Sequence, residues 1–314
     1  MIQIRQLRCD HIDTHYASAL FRYLKELAIK YRNDTWLIFL DDKHRCKIGE
    51  PGSPVAAVER EKQVVVSKNM TFIVSDHDFI KCSLIPSVSM ICNIPASIND
   101  SFYRGKVHIG LKDPIFQPSN SLRHMIELYN ILLQTGQNNP FLMLYIDGGL
   151  DHKITYLRVQ LSLIAIFKAL DLDYLVAVRT PPGHSWKNPV ERIMSILNLG
   201  MQSIGLMCVK MSEECENIIN TCNNIEDIRE KAKESSQLEN ELLESLQPTI
   251  ELLSSIFERQ SLKEEKFKTF EAATKRDIEN FWEYVLMVDN TLNIEDNSYK
   301  KVINKVRNIK TTQF

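Results

Sequence analysis

Two stretches, TWLIFLDD (residues 35–42) and FLMLYIDGGLDH (residues 141–152), constrain this chain more than anything else in it. Each is a short run of almost unbroken apolar side chains that stops abruptly at an acid. A run this short and this apolar is a strand covered on both faces. Such strands present their functional groups at their C-terminal ends, which are Asp41 and Asp42 in the first run and Asp147 in the second.

The segments around these strands predict an α/β architecture. HYASALFRYLKELAIKY (15–31) has helical apolar spacing. KQVVVS, MTFIVSDHDF, CSLIPSVSMICNI and GKVHIGL contain β-rich segments, with Pro86 and Pro95 expected to limit strand length. A helix is expected over 119–133. TYLRVQLSLIAIFKAL reads as a helix apolar on most faces, LDYLVAVRT as another buried strand, and a further helix starts at Asn188 or Pro189. Hairpin-like strands followed by strand–helix alternation predict a mixed sheet flanked by helices. After Met211, Leu and Ile recur at helical spacing among charges, so 211–314 reads as an acidic helical region with Pro248 starting or kinking a helix. Its leucines are core candidates, and a stripe for a protein partner or a second copy is the alternative.

Charge and cysteine usage narrow the class. Residues 211–314 carry 14 basic and 21 acidic side chains, leaving 24 basic and 19 acidic in 1–210. Only the first segment offers a positive surface for nucleic acid. Seven scattered cysteines, with no close C-x-x-C pair and no apolar leader, read as reduced intracellular thiols. Cys9, His11 and His15 are too few for a four-ligand zinc site, and no run approaches a membrane span. Walker, Rossmann, H-E-x-x-H and nucleophile-elbow patterns are missing.

Carboxylates converging in one cleft suit two Mg²⁺ or Mn²⁺ ions in phosphodiester chemistry, since their mutual repulsion is relieved only by cations. Asp41 and Asp147 on adjacent strands, closed from above by Glu191, would make such a group. Each acid also has a plainer reading. Turns favour Asp, and Asn188-Pro189-x-Glu191 is a capping box that explains Glu191 without metal. Spacing alone favours the cap. Asp42 should point away from Asp41, on the other face. Asp76 and Asp78 around His77, and Asp151 with His152, are competing ligands. His184, Lys187 and Arg192 are candidates for phosphate or DNA contact.

The three blocks FLDDKHRCKIGEPG, FLMLYIDGGLDHKITYL and PPGHSWKNPVERIMSIL resemble those around the acids of DDE transposases and retroviral-type integrases, and the last resembles the N-P-x-E segment of mariner-like and related insertion-sequence transposases. The resemblance spans roughly 34–205. It implies an RNase H-like core at 34–210, a helical lead-in at 1–33 and a mainly α-helical region at 211–314. It also implies Asp41, Asp147 and Glu191 as catalytic metal ligands, Mg²⁺ or Mn²⁺ as cofactor, DNA as partner, and a nuclear location in a eukaryote. The chemistry implied is metal-dependent DNA cleavage and strand transfer, and the resemblance turns the reading of Glu191 toward a ligand. With only about 33 residues before the first core strand, and Gly148 and Gly149 where the family usually has a polar residue, a truncated or host-adopted relative is expected. The alternative is an inactive transposase-derived scaffold that binds DNA or protein partners.

Overall fold

A computed structural model describes residues 12–58, 81–147, 149, 152–180, 185–288 and 290–291. The expected strands KQVVVS and MTFIVSDHDF lie outside these. Helix α1 (Thr14–Lys30) leads into β1 (Thr35–Asp42), short strands β2 (Cys46–Ile48) and β3 (Val55–Ala56), then the long hairpin partners β4 (Cys82–Cys92) and β5 (Gly105–Lys112). Next come α2 (Ser121–Gln134), β6 (Phe141–Ile146), α3 (Leu157–Ala169), β7 (Tyr174–Arg179), a 3₁₀ turn at Ser185–Lys187 and α4 (Val190–Gly200). Strand β8 (Gly205–Leu206) precedes α5 (Glu213–Asn220), α6 (Ile225–Glu234) and α7 (Ser236–Glu258). Strands β9 (Ser261–Leu262), β10 (Glu265–Lys266) and β11 (Lys268–Phe270) and helix α8 (Lys275–Leu286) follow.

The main sheet runs β11-β5-β4-β1-β6-β7, with β2 paired to β4. β4 is antiparallel to β1 and β5, whereas β6 and β7 run parallel to β1. Counting core strands along the chain, the order is third, second, first, fourth, fifth, which is the RNase H-like order. β1 is central, and its alternate side chains enter two cores. Leu37 and Phe39 pack with α1, α4 and α7; Trp36, Ile38 and Leu40 pack with α2, α3 and α8. That double burial is why the run is apolar without alternation.

The structure differs from the expected local pattern at three places. Pro86 does not shorten its strand: β4 continues through it for 11 residues. Its carbonyl accepts from the Lys43 amide at 2.8 Å just past the end of β1, and Pro86 stays in register with Leu111 of β5, so pairing on both sides carries the strand past the missing N–H. β7 is half-buried rather than buried, because it is the sheet's edge. Pro248 does not start α7, the 23-residue helix that contains it.

Residues beyond 211 contribute to the core. β11 pairs in parallel with β5, and Phe270 lies against Gly110, where any side chain would collide with its ring. Phe281, Trp282 and Val285 of α8 join the core of α2 and α3. The six cysteines of the described residues are buried and form no disulfide. No described helix is long and apolar enough to cross a membrane.

Candidate active site

The pairing of β1 with β6 places the first two acids. Leu40 is in register with Ile146, so Asp41 and Asp147 follow side by side at the C-terminal edge of the sheet. Asp41 continues the series Leu37, Phe39 on the α1–α4 face and is 8% exposed. Asp147, half-buried, lies over Gly149: a Cβ there would stand 3.0 Å from Oδ2 and 3.2 Å from Oδ1, a tight contact that would press on the carboxylate.

Glu191 reaches the same edge through Asn188. This buried side chain donates from Nδ2 to the Leu40 carbonyl at 2.9 Å, while its Oδ1 accepts from the Val190 amide at 3.3 Å. The start of α4 is thereby tied to the end of β1. The expected capping box does not form. The helix begins at Val190, Pro189 occupies the cap position, and the Asn188 amide donates to the Ser185 carbonyl at 2.7 Å. Asn188 uses its side chain to hold two elements together, so the Glu191 carboxylate is not engaged as a cap.

Asp41 feels the charges of the other two acids. Asp41 is pushed up to about 8 by its burial first, then by the negative charges of Asp147, Glu191 and Asp42. Asp147 Oδ1 is buried with no hydrogen-bond partner. A buried acid under pressure from its neighbours beside an unsatisfied carboxylate oxygen is the electrostatic state that a hard cation relieves. Among the described residues no three His, Cys, Asp or Glu side chains are drawn close enough to hold an ion as they stand.

The sheet separates Asp42 from this group. It faces α2, where Lys112, His124, Glu127 and Ser119 surround it. Burial by itself raises the Asp42 carboxyl, but His124, Lys112 and the hydroxyls of Ser119 and Ser87 together hold it well below the usual range. Lys112 is fully buried; its Nζ lies 3.0 Å from Glu127, 3.2 Å from His124 Nδ1 and 3.8 Å from Asp42 Oδ1, the last a charge contact and not a hydrogen bond. Burial and Lys112 drive His124 well below its ordinary value. Its Nδ1 lies 3.2 Å from Lys112 Nζ, and its Nε2 stands 3.5 Å from Asp42 Oδ2. Sequence reasoning missed this network, although His124 and Glu127, three apart on an apolar helix, share a face and were a usable signal.

The other candidates scatter. Lys187 donates to Ser18 Oγ at 2.8 Å, and the Arg192 guanidinium sits 5.3 Å from the Tyr103 ring centre. Both line a cavity on the α1–α4 face. His152 is buried against His124, ring centres 4.6 Å apart, and not at the acidic edge. His184, Asp151, Asp76, His77, Asp78, Cys9 and His11 lie outside the described residues.

The strand order is that of RNase H-like cores, a fold that DDE transposases and integrases share. No protein-family model matches the sequence, and no curated protein matches it significantly. Two solved structures are similar in chain path. One is described as the Mos1 mariner paired end complex with Mn (TM-score 0.38, 11% identity, 78% of this chain and 66% of that one). The other is described as the Mos1 transposase paired-end complex with left transposon end (TM-score 0.39, 10% identity, 79% and 66%). This chain thus spans just under two thirds of their length. At these values the likeness is distant, and the fold assignment rests on the strand order itself.

Proposed function

We propose that the chain is a transposase-derived, DDE-type protein that cleaves and joins DNA strands with Asp41, Asp147 and Glu191 as metal ligands. The observation that carries this reading is the buried Asp41, pressed by Asp147 and Glu191 at the C-terminal edge of an RNase H-like sheet. Asp147 has a free, buried oxygen to offer, and Asp41 sheds its proton once positive charge arrives. Glu191, released from any capping role, closes the site from α4. Mg²⁺ or Mn²⁺, when bound, supplies activation of the attacking hydroxyl and stabilisation of the leaving oxygen. Lys187 and Arg192 neutralise backbone phosphates, with His184 a further candidate in the same loop. The working unit in this reading is 34–210, braced by 211–314 and preceded by the helical lead-in 1–33. The exposed side of α7, including Leu252, is where a second copy or a protein partner would bind. Such a protein acts where DNA is, in the nucleus of a eukaryote.

The test combines nicking of supercoiled DNA with thermal unfolding in Mn²⁺ or Mg²⁺. The wild-type protein nicks, and metal raises its Tm; Asp147→Asn abolishes both while its metal-free Tm stays at or above the wild-type value. DNA retention with neither nicking nor a metal-induced Tm shift rejects this reading in favour of the inactive scaffold.

A further inference from the structure

The strand ladders hold the two aspartates unequally. Asp41 is paired with Val88 and Asp42 with Ser87, so β4 fixes the end of β1 as far as Asp42. The parallel pairing of β6 stops at Ile146, which is in register with Leu40 of β1 and Arg179 of β7. Asp147 therefore stands one residue beyond both ladders of its own strand, and its Oδ1 has no hydrogen-bond partner. Where it sits relative to Asp41 depends on how the chain that follows it is anchored.

That anchor lies on the α2 side of the sheet. The His152 amide donates to the Gly149 carbonyl at 3.1 Å, and the Asp147 carboxylate lies over Gly149. The His152 ring is buried against His124 of α2, with ring centres 4.6 Å apart and planes tilted by 35°. His124 in turn has Nε2 3.5 Å from Asp42 Oδ2 and Nδ1 3.2 Å from Lys112 Nζ. One imidazole thus meets the neighbour of Asp41 with its edge and the chain after Asp147 with its face. The start of α2 is held to the same place, because Ser119 donates to Asp42 and the cap residue Asn120 accepts from the Arg123 amide at 2.9 Å. Nε2 of both histidines is buried without a hydrogen-bond partner. An unpaired buried polar atom costs stability, so packing alone favours apolar side chains at both positions.

We propose that His124 is a positioning residue for the acidic edge. From the far face of the sheet it sets where Asp147 stands relative to Asp41, through His152 on one side and Asp42 on the other. A leucine fills the space but offers no polar edge to Asp42 or Lys112, and a glutamine offers no ring to His152. Imidazole does both. The inference rests on the proposed function, because the spacing of the two acids matters where they share an ion. Ligating groups must be held within about 0.5 Å of their productive geometry, and loss of a supporting partner weakens metal binding by about 10–100-fold.

The full chain is titrated with Mn²⁺, and the concentration at half of the metal-induced rise in Tm is compared among variants. Val285→Ala, in the same α2–α3–α8 core, controls for lost packing. His124→Ala and His152→Ala each raise the midpoint about tenfold, whereas Val285→Ala leaves it within about twofold of the parent. The double variant raises it no further than His124→Ala does, because both substitutions break one connection. His152→Phe, which keeps a ring against His124, recovers most of what His152→Ala loses. His152→Ala leaves Lys112 and its partners in place, so it carries the test if His124→Ala does not fold. Hydrogen exchange of the metal-free chain gives a second reading. The peptide holding Asp147 and His152 exchanges faster in the two imidazole variants than in Val285→Ala. Midpoints and exchange in both variants equal to those of Val285→Ala overturn the inference. A parent with no metal-induced rise in Tm loses the DDE reading; faster exchange then still supports the connection through His124, and exchange at the control rate overturns it.

Discussion

Asp41 and Asp42 are adjacent in the chain, and the two faces of one strand give them opposite fates. On the α2–α3–α8 face, Asp42 meets a buried lysine, a buried histidine and two hydroxyls, and its carboxylate is strongly favoured. On the α1–α4 face, Asp41 meets burial and two further acids, and its proton is held up to about 8. One face contains an ionic network gathered round the buried Lys112. The other holds negative charge short of partners, an arrangement that costs stability and makes sense as a place for something to bind. Neighbouring residues thus meet opposite environments because a strand's side chains alternate.

The comparison breaks most visibly at Lys112. Lys112→Ala leaves Glu127 and Asp42 buried without their cation, and should lower stability by about 3–5 kcal/mol in denaturant unfolding. A loss under about 1 kcal/mol shows that water or repacking replaces the lysine, and that the two faces differ less than the geometry implies.

Asp41 tests the other face with the opposite sign. Its carboxyl is raised on folding, so it binds a proton in the folded state that the unfolded chain has released. Metal-free stability therefore falls as the pH rises from about 4, the ordinary carboxylate value, through about 8. Asp41→Asn removes that slope and stabilises the metal-free protein at pH 8 by roughly 2–4 kcal/mol. The check is Tm against pH in EDTA. A variant no more stable than wild type at pH 8 means that Asp41 is not under pressure from its neighbours.

A smaller effect is expected at Asn188, which ties the two halves of the acidic edge. Asn188→Ala strands the Leu40 carbonyl and should cost about 1–2 kcal/mol. It should also weaken the metal-induced rise in Tm by loosening Glu191 from the edge. Unchanged metal response with lowered stability would make Asn188 a fold residue alone.

Much of this molecule is legible in its sequence. The strands of β1 and β6, the helices α1, α2 and α3, and the placing of Asp41 and Asp147 at strand ends follow from unbroken apolar runs and helical periodicity. Those patterns are local consequences of which side chains leave water. Other features depended on neighbours far away in the chain. Pro86 is tolerated in β4 because pairing on both sides carries the strand past it, and β11 joins β5 because Gly110 leaves room for Phe270, although the alternation in KFKTF is drowned by its charges. Asn188 reads as a helix cap on spacing alone, yet its partner is the Leu40 carbonyl, 148 residues away. The sequence by itself determined where the acids stand along their own elements. Only the tertiary structure decided that Asp147 and Glu191 press on Asp41 while Asp42 is neutralised, since charge interactions depend on distance and burial, and these are set when strands and helices from distant parts of the chain pack together.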